Sequence, residues 1–119
     1  ARRSFEHGEH AGLGWLDAEV RRLQVPQPLK VPHVGWNAVH FRAGDWLFDG
    51  IRANEPNFYF VHSYHMVCAD PADVAATTDY GGPVTAAVRR QNLVAAQFHP
   101  EKSQDNGLRM LANWVQWRP

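Results

Sequence analysis

The chain has 119 residues, of which 45% are apolar and 20% charged, and its formal net charge is zero when histidine is neutral. This length favours one domain with a substantial hydrophobic core. The balanced charge gives no electrostatic signature of binding to nucleic acid or to an anionic membrane, and no apolar run reaches the length of a membrane span. The single cysteine, Cys68, excludes an internal disulfide framework. It suits a reducing compartment, so we expect a cytoplasmic protein.

The first half of the chain predicts loops, a connector and one clear strand. Residues 1–14 are polar and predict a loop, and residues 15–23 fit either a strand or a short helix. Three prolines between residues 24 and 32 predict an extended connector. Residues 34–41 place their side chains alternately on two faces, as a strand does. The apolar segment 46–48 predicts either a pairing segment or a short turn.

The second half predicts more strands and one helix. Residues 58–64 are aromatic or β-branched almost throughout, which is typical of a strand buried on both faces. Residues 74–78 predict a short strand, and residues 84–89 and 93–98 predict a hairpin around residues 90–92. Ser103 is a suitable N-cap for a final helix. The residues that repeat at helical spacing after it are Leu108, Leu111, Trp114 and Val115.

A histidine and a glutamate follow the last predicted strand, in the run Gln97-Phe98-His99-Pro100-Glu101. Side chains two positions apart on a strand share a face. A carboxylate placed there can orient an imidazole, as in an arrangement of nucleophile, base and orienting acid. Pro100 has no N–H for a sheet ladder, so we expect the pair at a strand end, where α/β sheets bind ligands. The alternative is a surface pair without a catalytic role.

Three further blocks accompany this run, in a fixed order along the chain. The four blocks are Gly12-Leu13-Gly14-Trp15, Pro32-His33-Val34-Gly35-Trp36-Asn37, Tyr59-Phe60-Val61-His62-Ser63-Tyr64 and His99-Pro100-Glu101-Lys102-Ser103-Gln104. Together they resemble the class I (triad) glutamine amidotransferases, most of all the glutaminase subunit of imidazole glycerol phosphate synthase, an enzyme of histidine biosynthesis. The resemblance implies a flavodoxin-like α/β domain that releases ammonia from glutamine with a Cys-His-Glu triad and without a cofactor.

The resemblance also implies roles for individual residues. The catalytic base corresponds to His99 and its orienting carboxylate to Glu101. The segment whose backbone helps to hold the substrate glutamine corresponds to His62, Ser63 and Tyr64. The positions that face the partner, a (β/α)8-barrel cyclase that uses the ammonia, correspond to Trp36, Asn37, Tyr59 and Lys102.

The nucleophile of this family is the point at which the chain departs from the pattern. The family carries it in a Gly-x-Cys-x-Gly elbow, and that motif does not occur in residues 1–119. We therefore expect these residues to form the C-terminal portion of a single glutamine amidotransferase domain that lacks the N-terminal part with the elbow, and to be inactive alone. Cys68 has no flanking glycine for a strained elbow, and a structural thiol is the favoured interpretation.

Other interpretations stay open at this point. The chain could belong to a different class I glutamine amidotransferase, one that serves anthranilate, guanylate or cytidylate synthesis. It could also be a non-catalytic module that binds a partner through Trp36, Tyr59 and Lys102. No metal site is expected, because the two histidine pairs three positions apart, His7 with His10 and His62 with His65, lack the further converging ligands that zinc requires.

Overall fold

The structure is a computed structural model that describes residues 1–52 and 54–118. Among these residues it contains nine strands and one α-helix. In chain order they are β1 (Arg3–Ser4), β2 (His10–Ala11), β3 (Ala18–Arg22), β4 (His33–Phe41), β5 (Asn57–His62), β6 (Tyr64–Cys68), β7 (Val74–Asp79), β8 (Pro83–Arg90), β9 (Leu93–Ala96) and α1 (Gln104–Gln116). Short 3₁₀ turns lie at Trp46–Phe48, Pro71–Asp73 and Pro100–Lys102. The strand-rich α/β fold with one C-terminal helix is confirmed.

The strands form two sheets. A four-stranded sheet has the order β2-β1-β3-β6, and a five-stranded sheet has the order β5-β4-β7-β8-β9. The pair β1–β3 is parallel, and the other strand pairs of the described residues are antiparallel. The chain leaves the larger sheet at the end of β5 and enters the smaller one at the start of β6, with only Ser63 between them. This corner joins the two sheets.

The core lies against one face of the five-stranded sheet and is rich in aromatic rings. Phe58 packs on Phe98 with ring centroids 4.3 Å apart and meets Phe48 edge to face at 6.5 Å. Met110 of α1 and Val39 of β4 close the same cluster. Full burial of one such side chain stabilises a fold by about 1.5–3 kcal/mol, so this cluster anchors both β5 and the segment that leads to His99.

Strand β5 differs from the prediction for residues 58–64. The strand ends at His62, and the chain turns at Ser63 into β6. Phe58, Phe60 and His62 are buried, whereas Val61 is 41% exposed. The prediction of burial on both faces is therefore wrong in this structure, because only the face with even-numbered residues packs on the core.

The N-terminal segment is more ordered than predicted. Residues 1–14 contain two short strands instead of a continuous loop. Glu19 of β3 is only 7% exposed and accepts hydrogen bonds from Arg3 and Arg21. These bonds hold the pKa of the Glu19 carboxyl below its ordinary value, the bond from Arg3 having the largest effect. Ion pairing across strands fixes this region, and hydrophobic periodicity does not reveal such pairing.

Helix α1 is present as predicted, but its apolar stripe faces outward. Leu108 and Trp114 are 64% and 52% exposed, whereas Gly107 and Met110 are buried. Trp117, just after the helix, stacks on Trp46 with ring centroids 4.7 Å apart. Within residues 1–52 and 54–118, no helix has both the length and the apolar character needed to cross a membrane.

Candidate active site

The two predicted catalytic side chains are in contact. His99 Nδ1 lies 2.9 Å from Glu101 Oε1, and the two side chains are 36% and 60% exposed. The hydrogen bond with His99 holds the pKa of the Glu101 carboxyl below its ordinary value, so the carboxylate stays ionised near neutral pH. Because Nδ1–H donates to this carboxylate, the neutral ring presents the lone pair of Nε2 for proton transfer. This is the arrangement of a general base with its orienting acid.

The local geometry that joins them is different from the one predicted. Strand β9 ends at Ala96, and Glu101 lies in the 3₁₀ turn Pro100–Lys102 rather than on a strand. Pro100 occupies the first position of this turn. An N–H at that position would have no partner within the turn, so the missing N–H of proline breaks no hydrogen bond. The pairing of residues was correctly predicted, but a tight turn, not strand alternation, brings the carboxylate back to the ring.

Ser103 fixes this turn to the sheet. Its hydroxyl donates to the His99 carbonyl at 2.7 Å and accepts from the Tyr59 N–H at 3.0 Å, while the His99 N–H donates to the Tyr59 carbonyl at 2.9 Å. Ser103 is 1% exposed and precedes α1, but its side chain makes no helix-capping bond. The sequence predicted the N-cap position correctly but not the role of the side chain, which bonds the His99–Glu101 turn to β5.

Three of the four residues assigned to a partner interface lie together next to this turn. Trp36 and Tyr59 are cross-strand neighbours on β4 and β5, and their rings meet edge to face at 6.0 Å. Lys102 Nζ lies 5.9 Å from the centre of the Tyr59 ring. Trp36 is 50% exposed and Val34, on the same face, is 56% exposed. The face therefore combines exposed apolar surface with a cation beside the His99 turn.

The fourth, Asn37, lies on the opposite face of the sheet. Its side-chain amide nitrogen is 2.8 Å from the Asp79 carbonyl oxygen and 3.3 Å from His33 Nε2. Neighbouring residues of a strand point to opposite faces, so Asn37 cannot share an exposed surface with Trp36. The structure brings it into contact with His33 instead.

The segment assigned to glutamine forms the corner between the two sheets. Ser63 is half-buried, and its carbonyl accepts from the Leu23 N–H at 2.9 Å. In residues 1–52 and 54–118, neither the N–H nor the hydroxyl of Ser63 donates a hydrogen bond to a protein group. Both are donors available to a polar ligand. The corner lies four residues beyond Tyr59 on the strand that anchors His99, so one strand connects the two groups of site residues.

Cys68 does not have the environment of a nucleophile. It lies on β6, half-buried, against a small apolar cluster that includes Leu16 and Ala18. Burial raises the pKa of the Cys68 thiol, and the carboxylate of Asp73 raises it further. A thiolate is the reactive form of cysteine, so these surroundings oppose attack on a substrate. The part of the chain that the structure describes holds no group of three or more histidine, cysteine or acidic residues that could bind a metal.

Sequence reasoning overlooked His33, which the structure places beside the corner. It is 3% exposed and lies 2.9 Å from His62, Nδ1 to Nε2. Its one sequence signal is the strand register: His33 pairs with His62 across β4 and β5, so the two side chains point to the same face. Two histidines on the buried face of a strand pair were the available clue.

The chain matches the family described as glutamine amidotransferase class-I over residues 15–117. It is 50% identical to imidazole glycerol phosphate synthase subunit HisH of Rhodospirillum rubrum over 116 residues, which cover 96% of this chain and 54% of that protein. It is 46% identical to the HisH subunit of Agrobacterium fabrum over 120 residues, covering 98% and 56%. For the HisH subunit of Brucella suis the identity is 48% over 121 residues, again covering 98% and 56%.

The chain thus spans just over half the length of these curated relatives. The family match covers the exposed Trp15, the β4–β5 pair, the His99–Glu101 turn and all of helix α1. It therefore includes every residue to which the sequence assigned a role. A match of this extent, together with a histidine and a carboxylate in hydrogen-bond contact, shows that the chain belongs to the class-I glutamine amidotransferase family.

Proposed function

We propose that this chain is the C-terminal portion of the glutaminase subunit of an imidazole glycerol phosphate synthase, and that His99 and Glu101 are the base and the orienting acid of its Cys-His-Glu triad. The observation that carries the proposal is the 2.9 Å contact between His99 Nδ1 and Glu101 Oε1, which leaves Nε2 free to exchange protons. The similarity to HisH subunits supports the choice of this synthase over other members of the family.

The proposed reaction is acyl transfer through a thioester. His99 Nε2 takes the proton of a cysteine thiol, and the resulting thiolate attacks the side-chain amide carbon of glutamine. The C–N bond then breaks as His99 Nε2 delivers that proton to the departing ammonia. His99 then removes a proton from water, which attacks the thioester to release glutamate and restore the thiol. Glu101 keeps the imidazole in the tautomer with Nδ1–H and stabilises its charged form. The free N–H and hydroxyl of Ser63 are suited to hold the polar end of glutamine.

The nucleophile of this reaction is proposed to lie outside residues 1–119. Cys68 has a raised pKa and no strained elbow, and no Gly-x-Cys-x-Gly occurs in the sequence. We therefore expect the 119-residue chain alone to release no ammonia from glutamine, and the complete protein encoded by its gene to do so. The measurement is glutamate release by both samples, each with and without the cyclase subunit.

The control for that measurement is Cys68→Ala. In the complete protein we expect the variant to retain wild-type glutaminase activity, because the thiol takes no part. Turnover by the 119-residue chain that disappears in Cys68→Ala would contradict the proposal and identify Cys68 as the nucleophile. A complete protein that has no glutaminase activity in the presence of the cyclase would also contradict it.

The proposed partner is the (β/α)8-barrel cyclase subunit, in a cytoplasmic heterodimer. Ammonia would pass to it and be used to form imidazole glycerol phosphate and an aminoimidazole carboxamide ribotide. The face around Trp36, Tyr59 and Lys102 is suited to this contact, because Trp36 is half exposed beside the Tyr59 ring and aromatic side chains are enriched at the centre of protein interfaces. A partner seated there would also cover the His99 turn and keep ammonia away from solvent.

Replacing Trp36 with alanine is expected to weaken binding of the cyclase subunit at least about tenfold, because large aromatic anchors dominate interface energies. The matched control is Trp114→Ala on helix α1: the two indoles are 50% and 52% exposed, so both variants remove similar exposed surface. We expect Trp114→Ala to bind the cyclase as the wild type does. Titration calorimetry measures both affinities, and equal losses in the two variants would mean that Trp36 is not at the interface.

A further inference from the structure

The corner at Ser63 is braced by a histidine side chain. His62, the last residue of β5, turns its ring over the corner, and its Nδ1 lies 2.8 Å from the carbonyl oxygen of Tyr64. A carbonyl can only accept a hydrogen bond. His62 Nδ1 must therefore carry the proton and donate it. This one bond connects the residue before Ser63 to the residue after it.

The tautomer of His62 determines what its other ring nitrogen can do. A neutral imidazole with a proton on Nδ1 has an acceptor at Nε2. His33 Nδ1 lies 2.9 Å from that nitrogen and must be the donor of the bond. His33 Nε2 is then an acceptor, and the Asn37 amide N–H points to it at 3.3 Å. Every donor and acceptor in this chain of bonds is thus assigned by the Tyr64 carbonyl at its end.

The surroundings of His33 hold its ring in this position. The ring stacks between Phe60 and Tyr80, with centroids 4.8 and 4.0 Å away and both planes within 22° of its own. Burial lowers the pKa of His33 to about 4 and also lowers the pKa of His62. Both rings are therefore neutral near pH 7. A charged His33 would lose its acceptor at Nε2, so a neutral ring is required for the chain of bonds.

The far end of the chain is fixed as well. The amide nitrogen of Asn37 donates to the Asp79 carbonyl at 2.8 Å, and its side-chain oxygen accepts from the Ala38 N–H at 2.8 Å. These two bonds determine which end of the amide is nitrogen, so Asn37 presents an N–H to His33. Three side chains and the two carbonyls at their ends form a continuous path of hydrogen bonds from β7 to the corner, and no single bond of it can reverse its direction alone.

We propose that His33 is a positioning residue for the glutamine-binding corner: by donating to His62 Nε2 it stabilises the tautomer in which His62 Nδ1–H holds the Tyr64 carbonyl, and this sets the direction of the Ser63 donors. The proposal rests on the proposed function, since it assigns the corner to glutamine. A pair that merely filled the core would contribute packing alone and would not need a particular tautomer.

The first test is direct observation of the tautomers by nitrogen-15 NMR of the histidine rings in the wild-type protein at pH 7. We expect the proton on Nδ1 in both His33 and His62. A proton on Nε2 of His62 would overturn the proposal, whatever the activity of the protein. This measurement does not involve glutamine, so it distinguishes a failure of this inference from a failure of the proposed function.

The second test uses two variants of the complete protein with its cyclase partner. His33→Phe keeps the stacking between Phe60 and Tyr80 but removes the donor, and we expect the KM for glutamine to rise about tenfold, the size of one lost hydrogen bond. His33→Asn puts an amide N–H near the position of Nδ1, and we expect it to restore the KM to within about threefold of the wild type. Ammonia-dependent synthesis should be unchanged in both.

The control is His40→Phe, which alters an exposed histidine of the same strand. It is expected to leave the KM for glutamine unchanged. Circular dichroism melting curves identify any variant that fails to fold. If folded His33→Phe has the wild-type KM, or if His33→Asn is no better than His33→Phe, the hydrogen bond from His33 does not position the corner and the proposal is wrong.

Discussion

Replacing His99 with alanine is expected to abolish glutamine-dependent synthesis by the complete synthase and to spare synthesis from added ammonia. In the proposed mechanism the imidazole both protonates the departing ammonia and activates water, and positioned acid–base groups contribute about 100- to 10,000-fold each. We therefore expect at least a 100-fold loss of the glutamine-dependent rate. Free ammonia enters the cyclase reaction after these steps and does not need the base.

The structural reason for this separation is that His99 is bonded to the fold through its main chain. Its N–H and carbonyl are held by Tyr59 and Ser103, whereas the ring contacts only the exposed carboxylate of Glu101 among the hydrogen-bonding groups of the described residues. Removing the ring leaves the main-chain bonds in place. The proposed base is therefore lost while the surface proposed to face the cyclase stays in place.

The measurement compares the rates with glutamine and with ammonium salts for the wild type, His99→Ala and a control variant. His40→Ala removes the same kind of side chain from the exposed side of β4. Its rates with glutamine and with ammonium salts should both equal those of the wild type. Loss of both rates in His99→Ala would mean that the residue is needed for the fold or for assembly with the cyclase, not for acid–base chemistry.

Much of the fold follows from local patterns in the sequence. The alternation in residues 34–41 predicts β4 to within one residue, since the strand runs from His33 to Phe41. The hairpin of β8 and β9 turns at residues 91 and 92, and Gln91 has the positive φ of 53° that tight hairpin turns require. The helix begins directly after Ser103, as its spacing predicts. Each of these features depends on neighbours in the sequence.

Features that depend on distant residues are those that sequence reasoning missed. Arg3 of the short strand β1 bonds to Glu19, and β2 pairs with β1, but no periodicity marks either strand. The spacing in α1 groups Trp114 with the other apolar residues, yet Trp114 is exposed while Gly107 is buried. Spacing identifies which residues share a face. It does not say which face the rest of the fold covers.

The residues of the candidate site also fall into two groups, those that the sequence identifies and those that depend on strand pairing. His99 and Glu101 were identified because two residues of chemical significance stand together in the sequence. The role of Ser103, the partnership of His33 with His62 and the position of Asn37 on the inner face arise from pairing between strands. Residues that perform chemistry can be found from their type, but residues that orient them are found only when the register of the strands is known.

Gly107→Ala is expected to destabilise the protein by more than about 3 kcal/mol, although alanine is the better helix former by about 1 kcal/mol. Gly107 is buried in the first half of α1, where the helix crosses the 3₁₀ turn Pro100–Lys102. A Cβ atom at this position would lie 1.8 Å from the carbonyl oxygen of Pro100. That oxygen is main chain and cannot rotate away, so the helix and the turn must separate.

The consequence reaches the active site through the turn. Pro100 lies between His99 and Glu101, so a displaced Pro100 carbonyl breaks the geometry in which Nδ1 and Oε1 are 2.9 Å apart. Urea unfolding of Gly107→Ala measures the loss of stability, and the glutamine-dependent rate under folding conditions measures the damage to the site. We expect both the stability and the glutamine-dependent rate to fall. Ammonia-dependent synthesis should fall only by the fraction of protein that is unfolded in the assay.

The matched control is the reverse substitution on the same helix, Ala112→Gly. Ala112 is exposed, so its replacement should lower stability by about 1 kcal/mol through helix propensity alone and leave the glutamine-dependent rate unchanged. If helix propensity governed both positions, Gly107→Ala would be the more stable protein and Ala112→Gly the less stable one. Close packing of α1 against the His99–Glu101 turn requires a different result. Both variants should lose stability, Gly107→Ala more than Ala112→Gly, and only Gly107→Ala should lose glutamine-dependent rate.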